Sequence, residues 1–362
     1  MQRFSECFSD LPDPRAENAL HDLTEVLFIA LLATLCGAKS CCDIALFGKT
    51  KKALLKTVLT LKYGVPSHDT FSRVFRMLDP REFEKAFRRF MQAFAEATKI
   101  EGVIALDGKS LRRAYERGKS HMPPLMVTAW SVQTRMALAN VLAPGNNEAA
   151  AALELINLLS LKGCVVTTDA LHCHRRLAEG VIQRGGDYAL AVKENQSALL
   201  RDAKALIATA QKQRTKPANT KDARHGRKER RTAVVAAAPN MTKTHDFPGI
   251  KAVARIRSKR GKDKIVERYF LLSQHYTAPD VLRIVRQHWS IENQLHWPLD
   301  VVLDEDLARS RKDNAPANLA VLRRLALNVA RAHPDTKTSL RGKLKQAGWD
   351  ETFLFEMLSH MQ

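Results

Sequence analysis

The chain has 362 residues, 45% of them hydrophobic, and its 58 Lys and Arg outnumber 38 Asp and Glu for a formal net charge of +20. This composition excludes a disordered or low-complexity chain, and the length suits one large domain or two ordinary ones. So large a positive excess adds self-repulsion and nothing to folding, so it points towards a polyanionic partner, although basic proteins of other kinds share the trait.

Six cysteines occur with no C-x-x-C pair, several of them in apolar runs, which fits a reduced compartment such as the cytoplasm. The longest apolar stretch, residues 26–38, is too short to span a bilayer and reads as a buried helix, and no signal peptide is evident. In chain order, residues 1–97 read as an all-helical N-terminal domain: helices are expected over 23–38, 49–62, 68–78 with Ser67 as N-cap, and 81–98. The pattern then changes to short β-like segments at 103–107, 125–132 and 136–142, which should pair antiparallel. A helix over 147–162, a continuous apolar strand at 164–168, a helix over 174–184, a strand at 188–192 and a helix over 195–212 follow. Three antiparallel strands followed by βα units describe an α/β ribonuclease H-like mixed sheet with flanking helices. Residues 211–231 carry nine Lys or Arg against two acids, and strands at 232–238, 251–256 and 265–272 read as an inserted β layer. Helices resume at Pro279 and run, with a break near Pro298, towards His333. The expected division is a helical domain at 1–97, a catalytic domain at 98–335 with a β-rich insertion at about 213–276, and a helical tail at 336–362.

Asp107 ends the first predicted strand and Asp169 ends the fourth. In a ribonuclease H-like sheet those strands are neighbours, so the carboxylates would emerge side by side, an arrangement that is costly without a cation between them. Singly, each has a plainer reading: a turn at Asp107-Gly108 and a helix cap at Asp169. Glu292 adds a third acid. Val281, Val285, Leu295 and Leu299 lie on one helical face, Glu292 is expected to project into the middle of it, and His288 and His296 flank it four residues away on either side. A carboxylate aimed into a core needs a partner, and a metal shared with Asp107 and Asp169 would supply one. Three carboxylates suit Mg²⁺ or Mn²⁺, and a pair of such ions cuts and joins phosphodiesters.

With those residues the sequence resembles the H-repeat-associated branch of the DDE insertion-sequence transposases, over nearly its whole length. The matching stretches include Asp13-Pro14-Arg15, the run from Pro66 to Phe71, Leu106-Asp107-Gly108-Lys109, the run from Thr168 to His172, and Gly186-Asp187-Tyr188 with Ala191-Val192-Lys193. They continue with His225-Gly226-Arg227 and the run from His288 to Asn293 with Asp300 and Glu305-Asp306. The resemblance implies Asp107, Asp169 and Glu292 as a catalytic metal-binding triad for two ions. It also implies double-stranded DNA as partner (terminal inverted repeats and target), a bacterial, nucleoid-associated setting, and a β-rich segment before the last acid. Broader relatives carry Tyr, Arg and Lys around that acid where this chain has Val285, His288 and Leu299.

Candidate DNA contacts are Lys193 and Asn195 after a strand, the cluster Arg224, Arg227, Lys228, Arg230 and Arg231, and His288 in place of the Arg. Arg73 and Arg76 lie on a helix that reads either as a helix-turn-helix-like reader or as a packing helix. Zinc at His172-Cys173-His174 lacks a second ligand cluster, and the H-E-x-x-H order of a zinc peptidase is missing. Trp289 and Trp297 read as core. The expected activity is strand cleavage at element ends and strand transfer by 3′-hydroxyl attack, by a homo-oligomer assembled on DNA and away from membranes. The rivals are an inactive DNA-binding remnant and a nuclease without strand transfer.

Overall fold

A computed structural model describes residues 2–97, 100–114, 123–213, 215–224 and 227–359 of the chain, without the side chains of 93–97, 222–224 and 227. Six helices open it: α1 (Gln2–Phe8), α2 (Leu23–Leu35), α3 (Cys41–Thr50), α4 (Lys52–Leu55), α5 (His68–Met77) and α6 (Pro80–Ala97). The helix expected over 49–62 is displaced. Ser40 and Asp43 form a reciprocal capping box that starts α3 earlier, and the chain turns again at Lys51. Ser67 caps α5 as expected, its hydroxyl accepting from the Thr70 amide.

Strands β1 (Gly102–Ser110), β2 (Leu125–Ser131) and β3 (Met136–Leu142) form an antiparallel meander. After α7 (Glu148–Leu158), strand β4 (Cys164–Thr168) pairs parallel with β1. After α8 (Arg175–Gln183), strand β5 (Asp187–Val192) pairs parallel with β4. The order β3-β2-β1-β4-β5 is the ribonuclease H-like sheet. Helix α9 (Ser197–Lys212) follows.

The insertion is not a separate layer. Strands β6 (Ala218–Arg224), β7 (Arg227–Ala237), β8 (Ala252–Arg260) and β9 (Val266–Leu272), with the short α10 (Met241–Thr244) between β7 and β8, extend the sheet to nine strands, β9 pairing antiparallel with β5. That pairing satisfies the backbone groups that β5 would otherwise expose as an edge. The register also projects the insertion outward. β5 ends at Val192 opposite Tyr269, whereas β9 starts at Val266 and β8 continues to Arg260 opposite Glu229. The β6–β7 and β8–β9 hairpins therefore extend beyond the C-terminal edge of β1, β4 and β5.

Helices α7, α8 and α9 cover one face of the sheet, with Ile104, Leu106, Val127 and Val166 in that core. On the other face lie α11 (Ala278–His288), α12 (Trp297–Val301) and α13 (Ala315–Ala332). The N-terminal helices and the terminal α14 (Leu340–Trp349) and α15 (Glu351–Ser359) share one continuous core with α13, centred on α2. Because side chains alternate along a strand, Ala105 joins the α13 core while Ile104 and Leu106 join the opposite one. Asp107 and Lys109 share the parity of Ala105 and face the helices that follow the insertion.

Truncating Leu31, fully buried in α2, is expected to cost about 3 kcal/mol. Because that core is shared, Leu31→Ala should shift one urea transition seen alike by probes in the first and last helices. Two separated transitions would show that the N-terminal helices fold as an independent unit.

Candidate active site

The parallel register of β1 and β4 pairs Leu106 with Thr168, so Asp107 and Asp169, the next residue on each strand, stand side by side at the sheet edge. Asp107 does not open a turn. β1 continues through Ser110, and the Asp107 carboxylate accepts from the Gly108 amide at 3.0 Å. Burial pushes the Asp107 carboxyl up to about 6; His288 opposes this, while Asp169 and Glu148 add to it. Asp169 is half-exposed and held below the usual carboxylate range, chiefly by its polar contact with His288. Similar carboxylates a strand apart are thus driven in opposite directions.

The opposing helix explains how. His288, Glu292, His296 and Asp300 recur every four residues. His288 Nδ1 shares a hydrogen bond with the Thr167 hydroxyl at 3.1 Å, and its Nε2 lies 3.7 Å from Asp169 Oδ1. His296 Nδ1 lies 3.6 Å from Asp107 Oδ2, and Asp300 Oδ1 lies 2.7 Å from Lys109 Nζ. In a regular α-helix, four residues overshoot a full turn by roughly 40°, so a stripe this long would drift off the sheet edge. Here residues Glu292–His296 form a π-turn, the Trp297 amide bonding to the Glu292 carbonyl five residues back. The wider turn corrects the drift.

Pro298 supplies the reason for the irregularity. It has no amide hydrogen, so the carbonyl of Gln294, four residues back, loses its helical partner. Arg331 of α13 fills the gap, donating to the Gln294 and Arg135 carbonyls while its guanidinium lies 4.8 Å from the centre of the Trp130 ring. The expected break near Pro298 falls slightly later: the helix passes through the proline with a compensated carbonyl, ends at Val301, and the next long helix starts at Ala315.

One expectation is corrected. Glu292 is exposed and does not project into the apolar face, although Val281, Leu295 and Leu299 are buried. The helical phase changes at Glu292 itself, so extrapolation from α11 misplaced it. Its helix segment passes between the two histidines that touch Asp169 and Asp107. Among the described residues, no group of three or more His, Cys, Asp or Glu is arranged to hold a metal ion. Asp107 and Asp169 supply the oxygen donors that a hard divalent cation takes, and Glu292 does not close the set.

Behind the carboxylates lies a buried charge network. Lys109 Nζ also donates to Asp306 at 2.8 Å, and Glu305 lies 4.0 Å away. Arg324, fully buried, donates to Glu305 at 2.9 Å and to the Thr128 hydroxyl at 3.2 Å, and Thr128 is the cross-strand neighbour of Asp107. Burial, then the Arg324 and Lys109 charges, pull His296 down to about 3, so it faces Asp107 as a neutral ring at ordinary pH.

Residues 98–329 match the family described as Transposase DDE domain, and residues 5–91 match the DDE_Tnp_1-associated family. The chain belongs to the DDE transposase family. Putative protein YbfL of Escherichia coli (strain K12) is 31% identical, covering 99% of this chain and 98% of its own length. The H repeat-associated putative transposase YhhI of the same strain is 30% identical over the same shares. A solved piggyBac transposase synaptic complex with hairpin DNA aligns with a TM-score of 0.48 and 12% identity, covering 98% of this chain and 77% of that one.

The remaining candidates fall in separate places. Lys193 and Asn195 are exposed beside Asp169, and Asn195 donates to the Ala170 carbonyl. Lys228 and Arg230 are exposed on the projecting β7, whereas Arg231 pairs with Glu229. His225 and Gly226, and the side chains of Arg224 and Arg227, lie outside the described residues. His288 is buried against Thr167 and Asp169, which leaves it orienting the carboxylate rather than presenting an open phosphate contact. On α5, Arg73 is exposed and Arg76 pairs with Asp313 at 2.7 Å. Trp297, expected in the core, is exposed. His172, free of any metal cluster among the described residues, meets Glu148 at 3.1 Å. Glu148 was missed by sequence reasoning, and its only signal is Gly108: a Cβ there would lie 2.4 Å from Glu148 Oε1.

Two outcomes follow. A raised Asp107 pKa means that the folded protein keeps a proton between about pH 4 and 6 that the unfolded chain has released, so stability falls as pH rises through that window. In chelator, Asp107→Asn should therefore stabilise by about 2–3 kcal/mol near pH 8 and by almost nothing near pH 4; equal gains at both would refute the assignment. Arg331→Met should cost about 2–3 kcal/mol, and adding Pro298→Ala should recover about 1 kcal/mol by restoring an amide donor to the Gln294 carbonyl. Strict additivity in that double-mutant cycle would remove the proposed compensation.

Proposed function

We propose that this chain is a metal-dependent DNA transposase that cleaves strands at element ends and joins them to target DNA. The observation that carries the reading is the placement of Asp107 and Asp169 on adjacent parallel strand ends beneath the helix that bears Glu292. Asp107 and Asp169 would hold the divalent cations, with Glu292 as the third carboxylate. When bound, Mg²⁺ or Mn²⁺ polarises the phosphodiester and makes the attacking water or 3′-hydroxyl a stronger nucleophile.

The chain's own residues prepare that site. His288 keeps Asp169 ionised and oriented, and Lys109 with its acidic partners fixes the strand that carries Asp107. Neutral His296 shields Asp107 from solvent on the helix side without adding charge. Lys193, exposed next to Asp169, would hold a phosphate at the reacting bond. Lys228 and Arg230, on hairpins that reach past the catalytic edge, would grip the duplex backbone beyond it. Handling two DNA ends together calls for a homo-oligomer on DNA.

A second reading, an inactive DNA-binding remnant, is favoured by the unclosed carboxylate set. One relative carries the name Inactive transposase YbfQ, 35% identical over 20% of this chain. The two readings part on one assay: cleavage and joining of duplexes that carry the element's terminal repeats, in Mg²⁺ or Mn²⁺. The enzyme reading expects metal-dependent joined products that fall at least about 10³-fold in Asp169→Asn and in Glu292→Gln, with DNA binding retained. Binding by the wild type with no metal-dependent cleavage would establish the remnant.

A further inference from the structure

A second cationic site lies away from the carboxylates, between α5 and the segment that follows α12. Ser72 and Arg76 of α5 face Arg309, Ser310, Arg311 and Lys312 across an open cleft of about 770 Å³. Four of these six side chains are cationic, and Asp313, paired with Arg76, is the neighbouring acid.

The segment is held at both ends. At its start, Glu305 is locked by Arg324, and Asp306 is bonded to Lys109 and lies 3.4 Å from Arg112 at the end of β1. At its end, the Asn314 amide donates to the Arg76 carbonyl, and Asn314 and Asn318 both donate to the Leu78 carbonyl at the end of α5. Residues 307–313 thus form a strap tied down at one end beside Asp107 and at the other on the N-terminal helices. Arg309 and Lys312 are exposed on it. A fixed strap presents its charges without the ordering cost of a free loop. The projecting hairpins leave the sheet on the β5 side of the carboxylates, and the strap leaves on the β1 side.

We propose that this cleft is a phosphate-backbone clamp for double-stranded DNA, on the opposite side of the active site from the hairpins, so that a duplex is gripped both before and after the reacting bond. The proposal rests on the reading of DNA as partner. Among the described residues the lining is cations, hydroxyls and Ala315, with no aromatic surface for a base. It therefore suits sequence-independent contact with phosphates.

The test is the salt dependence of duplex binding by the full chain, measured with DNA containing the element ends and with an unrelated duplex. Removing about one phosphate contact lowers the slope of log K against log salt by about 0.9. Arg309→Ala with Lys312→Ala should lower it by about 2 on both duplexes, because both residues are exposed and neither holds the strap in place. A control that removes the same charge elsewhere, Lys56→Ala with Lys345→Ala, should leave it unchanged. An unchanged slope in the strap variant, or an equal drop in the control, overturns the clamp. So does competition by millimolar inorganic phosphate for a site whose loss leaves the slope intact. If the wild type bound neither duplex, DNA as partner would fail. If Lys228→Ala with Arg230→Ala lowered the slope and the strap variant did not, only the clamp would fail.

Discussion

The burial of Asp107 beside a second carboxylate, Asp169, is the constraint around which the rest of the site is arranged. The sheet register forces them together at the end of two buried parallel strands. Burial, with smaller contributions from Asp169 and Glu148, pushes the Asp107 carboxyl up to about 6, while His288 keeps Asp169 charged. A divalent cation, were one held there as proposed, would bring Asp107 back into its charged form and so couple its binding to local stability.

That arrangement works only while one helix keeps His288, His296 and Asp300 in register with the strand ends. A regular helix does not hold such a stripe in phase, and the proline that breaks the pattern also creates an orphaned carbonyl. Both defects are resolved within one turn, by the π-turn and by Arg331. The compensation comes from α13, which also supplies Arg324 to the network behind Lys109 and packs against the N-terminal helices. The position of Glu292 therefore depends on residues that never approach it, and the N-terminal helices belong to the same mechanical unit as the site.

Much of this was legible in the sequence because it rests on local patterns. The switch from helical to alternating periodicity near residue 100 identified the sheet, and the strand ends located Asp107 and Asp169. The Ser67 cap located α5. The misreadings share a physical cause: they extrapolated regularity through a compensated irregularity. Ser40 and Asp43 move a helix start, β9 captures the edge of β5, and the π-turn shifts the phase just where Glu292 had been placed by counting. Glu148, Lys109 and Arg331 act through tertiary contacts over long sequence separations, and a lone glycine or a proline is the only local trace such contacts leave.

The charge excess with which the sequence opens takes on a spatial meaning in this fold. Cations that pair with acids, such as Lys109, Arg324 and Arg231, are structural and add nothing to a field felt outside. Lys228 and Arg230 on the hairpins and Arg309 and Lys312 on the strap are exposed and able to act at a distance, and both elements flank the edge that carries the acids. A carboxylate pair repels a phosphodiester as surely as its two members repel each other. If DNA is the partner, cations on both flanks would offset that repulsion and draw the backbone across the acids instead of away from them. On the proposed reading, the acids would carry the chemistry and the flanking charges would permit the approach. Neither group, placed alone on this sheet edge, would bring a phosphate to Asp107 and Asp169.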